Sequence, residues 1–355
     1  MVDSLIDVEL PPFYCPLESR SHPRTPLIEQ RAMEWIRASG MCATDEEYWR
    51  VVGSRSVDFY GRFAPAADDD RLLATALWVY WGFAFDDARC DKGPLSRRPA
   101  EFNVLSGRVQ RALEAPSARD EGERFVPPLQ DIAGRFRSFG TATQFRRFTT
   151  AHRAWLSGVC WQVGNRAHGR MPPLDEYLAM RLLASGGEPT FAMLELATGV
   201  PVDAAEMHRP AVRALTEMAI TVAALDNDRH SVRKELVSGQ DMNIYSVLTQ
   251  SVGMSLAQAV RTATGLRDRV LTRFLDLHEQ VQTRASAELK TYLLGLCHGI
   301  RGNAEWGLRV PRYVDPEAGL VADDETPLVW AQAPADSSSD PVPAPSIAWW
   351  WDDIA

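Results

Sequence analysis

The chain has 355 residues, of which 45% are hydrophobic, so it can bury one large core or two modest ones. Its formal net charge of −9 disfavours nucleic acid and anionic membranes as partners, because neither attracts a negatively charged protein. The five scattered cysteines form no CxxC motif, which argues against a disulfide framework or a zinc site and favours a reducing cytoplasm. No apolar segment is long enough to span a bilayer.

The predicted elements are helices between two irregular ends. Residues 1–25 contain several prolines and are predicted to be irregular. From there to about residue 315, apolar residues recur at helical spacing, as in 72–80, and no shift in composition divides them. We therefore expect one all-α domain over 26–315. The segment 316–355 is rich in proline and serine and is predicted to be disordered, with a loosely docked end at Trp349–Trp351.

The first polar cluster is Asp86, Asp87 and Asp91, at the end of an almost wholly apolar helix. Asp91 comes four residues after Asp87 and so is expected on the same side, one turn later. These carboxylates would repel one another without a cation, and Mg²⁺ prefers such oxygen ligands while sharing them with substrate phosphates. The alternative is an ordinary solvated helix end, because D-D-x-x-x-D also occurs by chance. A metal site therefore requires a second cluster.

The second polar cluster is Asn227, Ser231 and Glu235, spaced four residues apart on one face of a predicted helix. An amide oxygen, a hydroxyl and a carboxylate suit a hard cation and do not suit zinc or copper. Lys234 adds positive charge that could meet a phosphate. The alternative is a solvated polar face, but the apolar segment 218–225 precedes this triad as another precedes the Asp cluster, and this repetition favours function.

With DDARCD followed about 140 residues later by NDRHSVRKE, the chain resembles the bacterial class I terpene synthases. Arg181 resembles the family's diphosphate-sensing arginine, and Arg312–Tyr313 resembles its C-terminal Arg-Tyr pair. The resemblance implies a single-domain helical bundle around a central apolar cavity, and a homodimer is possible. It further implies three Mg²⁺ ions, two at the Asp cluster and one at the Asn–Ser–Glu triad. The diphosphate-binding residues would be Arg181, Lys234, Arg312 and Tyr313.

Such an enzyme must shelter a carbocation from water, which requires an aromatic-lined cavity. Phe83 precedes Asp86 by about one turn and Trp306 precedes Tyr313 by seven residues, so these two aromatics are expected to act on the cation. Other aromatic residues that could line the cavity are Phe85, Trp155, Trp161 and Phe191.

Cavity volume decides the length of the substrate. Gly82 and Ala84 beside the Asp cluster, with Ala223 and Ala224 before the triad, suggest extra room and favour the C20 substrate geranylgeranyl diphosphate. The alternative is a sesquiterpene synthase that uses farnesyl diphosphate. An isoprenyl chain-elongating transferase would carry a second D-D-x-x-D motif where this chain has Asn–Ser–Glu. A non-catalytic helical interaction protein is the remaining alternative.

Overall fold

The structure is a computed structural model that describes residues 10–91, 93–115, 122–238, 242–314 and 327–355. Within these ranges, nothing is described for the side chains of residues 233, 234, 236–238 and 314. Among the described residues, no helix is both long and apolar enough to cross a membrane.

The described residues form helices joined by short loops, which confirms the all-α prediction. The first half contains β1 (Phe13–Tyr14), α1 (Thr25–Ser39), α2 (Asp45–Val52), α3 (Ser56–Phe63), α4 (Asp69–Phe85), a π-helical turn (Asp86–Asp91), a 3₁₀ turn (Pro94–Arg97), α5 (Pro99–Glu114), α6 (Val126–Phe139) and α7 (Ala142–Ala167). The second half contains α8 (Leu174–Ala184), α9 (Gly187–Ala192), α10 (Leu194–Thr198), α11 (Ala204–Met207), α12 (Pro210–Ser238), α13 (Ile244–Gln250), α14 (Leu256–Gln282), α15 (Ala287–Arg309), α16 (Pro311–Val314), β2 (Trp330–Ala331), α17 (Pro345–Ala348) and a 3₁₀ turn (Trp349–Trp351).

Helix α4 is the most deeply buried of the helices that carry the site. Its N-cap residue is Asp68, whose side chain accepts a hydrogen bond from the backbone N–H of Asp70 at 2.9 Å. Apart from Asp69, Asp70, Arg71 and Phe83, all of its residues are buried, and the helix packs against α3 and α6. This all-round burial explains why the sequence of the helix after Arg71 is almost wholly apolar.

Helix α12 is the counterpart of α4 across the bundle. It packs against α14 and α15 along its length and against α8 on another side. Its segment from Met218 to Leu225 is buried except for Ala223, which is half-buried, and the polar residues of the triad follow directly. Apolar packing therefore holds both polar clusters at the ends of buried helical segments.

The C-terminal segment is ordered where the structure describes it, so the prediction of disorder is wrong for residues 327–355. Strand β2 pairs in parallel with β1, with Phe13 opposite Trp330. Trp350 is fully buried, and its indole N–H donates to Glu217 of α12 at 2.9 Å. The apolar residues of this segment thus bury enough surface to offset the cost of ordering a proline-rich chain. Residues 315–326 lie outside the described ranges.

Candidate active site

The Asp cluster lies on the π-helical turn that continues α4. Because a π-helix bonds residue i to residue i+5, Asp91 lies over Asp86, not over Asp87 as the spacing of an α-helix predicts. Asp86 and Asp91 both line a cavity at the centre of the bundle, whereas Asp87 does not. Arg166 of α7 donates to Asp91 at 3.3 Å and to the carbonyl of Cys90 at 2.6 Å, and so holds the turn in place.

Asp87 is committed to an ion pair with Arg312. The guanidinium of Arg312 donates to both carboxylate oxygens of Asp87 at 2.8 Å, a bidentate arrangement. The same guanidinium lies 4.7 Å from the ring centre of Phe83. Asp87 therefore positions the arginine of the Arg-Tyr pair at the cavity, while Asp86 and Asp91 face the cavity itself.

The carboxyl group of Asp86 is in a poor environment for a negative charge. Burial raises its pKa from an ordinary 3.8 to about 8, and the neighbouring carboxylates of Asp91 and Asp87 add to the effect. A divalent cation at this place would stabilise the ionised form.

The Asn–Ser–Glu triad lines the same cavity from α12. Asn227, Ser231 and Glu235 are all among the lining residues, as the four-residue spacing requires. The hydroxyl of Ser231 donates to the backbone carbonyl of Asn227 at 2.9 Å, which leaves its lone pairs available. Burial raises the pKa of Glu235 to about 7, with a further contribution from the charge of Asp228. This oxygen-only set also fits a hard cation.

Arg181 of α8 reaches the triad directly. Its guanidinium donates to the amide oxygen of Asn227 at 2.7 Å and to the carboxylate of Asp228 at 2.9 Å. Asp228 is buried and also accepts from the Tyr177 hydroxyl and, at 2.9 Å, from the backbone N–H of Ile244. Asp228 is not predicted from the sequence, because it lies off the triad's face and its partner Arg181 is 47 residues away along the chain.

Tyr313 completes the polar rim of the cavity. This rim consists of Asp86, Asp91, Arg181, Asn227, Ser231, Glu235, Arg312 and Tyr313. The Tyr313 hydroxyl accepts a hydrogen bond from the amide nitrogen of Asn227 at 2.6 Å, which turns the amide oxygen of Asn227 towards Arg181.

The Tyr313 ring stacks on His230 at 5.7 Å and meets Trp306 edge-on at 5.6 Å. On its other side the His230 ring lies 5.3 Å from Phe13 of β1. The side chain of Lys234 lies outside the described residues.

Beyond the polar rim, the cavity wall is largely apolar and aromatic. The volume of the cavity is about 170 Å³. Of the predicted aromatics, four line it and two do not: Phe85 is buried between Trp81 and Phe125, and Trp161 is 37% exposed. The aromatic lining consists of Phe59, Phe63, Trp78, Phe83, Trp155, Phe191, Trp306 and Tyr313.

Trp306 is fixed at the boundary between the rim and the wall. Its indole N–H donates to the backbone carbonyl of Ser54 at 2.9 Å, and its ring stacks on Phe83 at 5.7 Å with an interplanar angle of 18°. Phe59 of α3 packs edge-on against it at 4.8 Å. The sequence analysis missed the residues of α3 because this short helix lies far along the chain from every motif.

The cavity thus combines two sets of oxygen ligands, two arginines and a sheltered aromatic wall. Among the described residues, no three His, Cys, Asp or Glu side chains are close enough to hold an ion by themselves, and the candidate ligands accordingly include an amide and a hydroxyl oxygen. Residues 77–273, which contain both polar clusters, match the family described as "Terpene synthase family 2, C-terminal metal binding". The chain belongs to the terpene synthase family.

Relatives of this terpene synthase extend over its whole length. It is 66% identical to spiroviolene synthase from Streptomyces violens, over 98% of each chain. The crystal structure of SVS_A2, a protein from ancestral sequence reconstruction, is 67% identical, covers 97% of this chain and 99% of its own, and superposes with a TM-score of 0.89.

Two more distant relatives differ in what their names state. A diterpene cyclase of a Streptomyces species is 29% identical over 97% of this chain and 98% of its own. The (+)-T-muurolol synthase of Streptomyces clavuligerus, named as cyclizing farnesyl diphosphate, is 30% identical over 96% of this chain and 81% of its own. The protein is therefore a terpene cyclase that contains a metal-binding domain.

Proposed function

We propose that this terpene synthase ionises geranylgeranyl diphosphate with Mg²⁺ and cyclises the resulting carbocation to a diterpene. The observation that carries the proposal is that Asp86 and the Asn–Ser–Glu triad line one cavity together with Arg181 and Arg312. The polar groups can hold a diphosphate at the rim, while the aromatic wall receives the hydrocarbon chain. The polar rim and the aromatic wall are adjacent in this cavity, as ionisation followed by cyclisation requires.

The ligand set fits Mg²⁺. Asp86, Asn227, Ser231 and Glu235 supply only oxygen ligands, and burial disfavours the charged forms of both carboxylates until a cation is present. We expect three ions, two at the Asp cluster, where Asp91 assists Asp86, and one at the triad. Bound Mg²⁺ would neutralise the charge that develops on the departing diphosphate and so lower the barrier to cleavage of the C–O bond.

Arg181 couples the triad to the diphosphate. Its guanidinium now donates to the amide oxygen of Asn227, the atom that would ligate the metal. An amide oxygen has two lone pairs, so Asn227 could bind the metal and still accept from Arg181, whose remaining N–H groups would be able to donate to a diphosphate oxygen. The bond from Arg181 to Asp228 keeps the guanidinium at the rim meanwhile. Arg312 and Tyr313 would also donate to the diphosphate, and Lys234 would add a further cation.

The aromatic wall has the properties that a carbocation requires. Phe83 and Trp306 lie nearest the rim, and Phe191 and Trp155 lie among the lining residues of the wall. Each aromatic face stabilises a nearby cation by about 0.5–2 kcal/mol. The burial of Trp155, Phe191 and Trp306 also excludes water, which would otherwise quench the cation before it cyclises.

The small residues of the wall support the C20 substrate. Gly82, Ala223 and Ala224 line the cavity, so each leaves space where a larger side chain would project. Ala84 does not line it, so the prediction that this residue adds room to the cavity is wrong. Farnesyl diphosphate is the alternative substrate. Chain elongation is disfavoured because the second metal site has Asn227 and Ser231 where an elongating transferase would carry aspartates.

The proposal is tested by measuring kcat/KM for diphosphate release from geranyl, farnesyl and geranylgeranyl diphosphates with Mg²⁺, followed by mass spectrometry of the extract. We expect geranylgeranyl diphosphate to be preferred by about tenfold or more and to yield a cyclic C20 product. Asn227→Ala should abolish release, whereas Asn103→Ala, on the outer surface of α5, should have no effect. A C15 product from farnesyl diphosphate alone would overturn the choice of substrate.

A further inference from the structure

Asn303 of α15 is a buried amide on the cavity wall that neither the metal ligands nor the diphosphate-binding groups include. It is 6% exposed and precedes Trp306 by one helical turn. Its side-chain nitrogen donates to the backbone carbonyl of Ala223 on α12 at 3.2 Å. Because a carbonyl only accepts, the amide nitrogen must face Ala223, and the amide oxygen must point the other way.

The amide oxygen of Asn303 is available to a ligand. Within the described part of the chain it accepts no hydrogen bond, and it is not among the side-chain atoms that are sealed without a partner. Asn303 lines the cavity and its amide nitrogen is turned to Ala223, so the geometry points to its oxygen as the atom that faces the cavity. The carbonyl of Ala223 already accepts the helical bond from the N–H of Asn227, so it does not need Asn303 for its own satisfaction. The bond therefore serves to orient the amide.

The position of Asn303 separates it from the diphosphate. Ala223, to which it is bound, precedes Asn227 by one turn of α12, which places the contact about 6 Å deeper along the helix than the triad. Two hydroxyls of the lining each make one hydrogen bond to the backbone: Thr190 donates to the Gly186 carbonyl at 2.8 Å, and Ser185 accepts from the N–H of Gly187 at 3.2 Å. What distinguishes Asn303 is that its amide is held by the bond to Ala223, so its oxygen dipole has a fixed direction.

Resting on the proposed function, we propose that the amide oxygen of Asn303 is a specificity-determining group that stabilises a cationic centre formed after ionisation. The negative end of a fixed dipole attracts positive charge, and the attraction is strong where aromatic rings exclude water. The dipole lowers the energy of those cations whose charge lies beside it. Asn303 therefore determines where the cation rests during cyclisation, and it takes no part in the departure of the diphosphate.

The test compares Asn303→Leu with Asn303→Ala, using diphosphate release and the product profile as separate readouts. Leucine has nearly the shape of asparagine and alanine leaves space, so the two variants lose the same dipole while changing the shape of the wall differently. We expect release to stay within about threefold of the unsubstituted enzyme, and the share of the main product to fall about tenfold in both variants in favour of products that terminate earlier. Thermal unfolding identifies a misfolded variant, and Asn103→Leu is the control for an amide-to-leucine change outside the cavity.

Three outcomes would overturn the inference: an unchanged product profile in both variants, different products in the two variants, or loss of diphosphate release in folded protein. The second outcome would assign the effect to the shape of the wall, and the third to the positioning of the rim. If the unsubstituted enzyme releases no diphosphate from any prenyl diphosphate, the proposed function fails first, and this result is distinguishable from the other three.

Discussion

Asp228 provides the sharpest prediction, because this one buried carboxylate holds Arg181, the arginine that we propose binds diphosphate. In Asp228→Asn the shape is kept, but the charge is lost and an N–H₂ group replaces one of the two accepting oxygens. The Arg181 guanidinium, the Tyr177 hydroxyl and the Ile244 N–H then compete for a single oxygen. Removing one partner of a buried ion pair costs about 3–5 kcal/mol. The Arg181 side chain is 16% exposed at the cavity, so water can partly compensate the unpaired charge. We therefore expect Asp228→Asn to lower the free energy of unfolding by about 2–4 kcal/mol.

Urea unfolding measures this loss, and diphosphate release measures its consequence at the rim. We expect kcat/KM to fall about a hundredfold or more, because an arginine without its anchor is no longer held towards the diphosphate. Tyr177→Phe is the matched control: it removes one neutral donor, should cost about 1 kcal/mol, and should leave kcat/KM within about threefold. The reasoning is refuted if Asp228→Asn unfolds like the unsubstituted enzyme and keeps its kcat/KM.

Three further predictions concern the surroundings of the site. In Gly307→Ala the new Cβ would lie 2.2 Å from the His230 ring, so we expect the free energy of unfolding to fall by about 1–3 kcal/mol. Thermal unfolding measures this change, and an unchanged Tm would contradict the close packing of Gly307 against His230. Burial raises the pKa of Glu29 from 4.5 to about 7, so the stability that its protonated form contributes is lost as the pH rises from about 4.5 through 7. Glu29→Gln should therefore be more stable than the unsubstituted enzyme by about 1–2 kcal/mol near pH 8 but not near pH 4, and urea unfolding with equal differences at both values would argue against it. Trp350→Ala should lose about 3–5 kcal/mol of tail docking and expose residues 327–355 to limited proteolysis before the helices, whereas cleavage at the unsubstituted rate would show that the tail is not held by this residue.

Local patterns in the sequence predicted the helices and the order of the polar clusters well. The apolar segment before Asp86 and the four-residue spacing from Asn227 to Glu235 are properties of single helices, so no tertiary information is needed to interpret them. The π-helical turn is different. Its extra residue per turn places Asp91 above Asp86 and leaves Asp87 to Arg312, and no pattern of hydrophobic residues indicates where a helix widens.

The residues that the sequence analysis missed depend on contacts between helices. Asp228 matters because α8 packs on α12 and places Arg181 beside it, and Asn303 matters because α15 places it beside Ala223. Such partners lie tens of residues away along the chain.

The prediction of disorder for the C-terminal segment was wrong for a different reason. Proline and serine content predicts disorder when a segment has little apolar surface to bury, but 327–355 also contains Trp330, Ile347 and Trp350. Whether these residues dock depends on a matching groove between α8, α12 and α14, which is a property of the folded bundle. Composition alone could not show that such a groove exists.

The central claim is that the Asp cluster and the Asn–Ser–Glu triad form the two halves of one metal–diphosphate site. A crystal structure with Mg²⁺ and inorganic diphosphate tests it most directly. We expect metal ions bound to Asp86 and to Asn227, Ser231 and Glu235, with the diphosphate bridging the two sets and contacted by Arg181. Diphosphate bound with no metal at the triad, or metal bound away from Asp86, would contradict the claim.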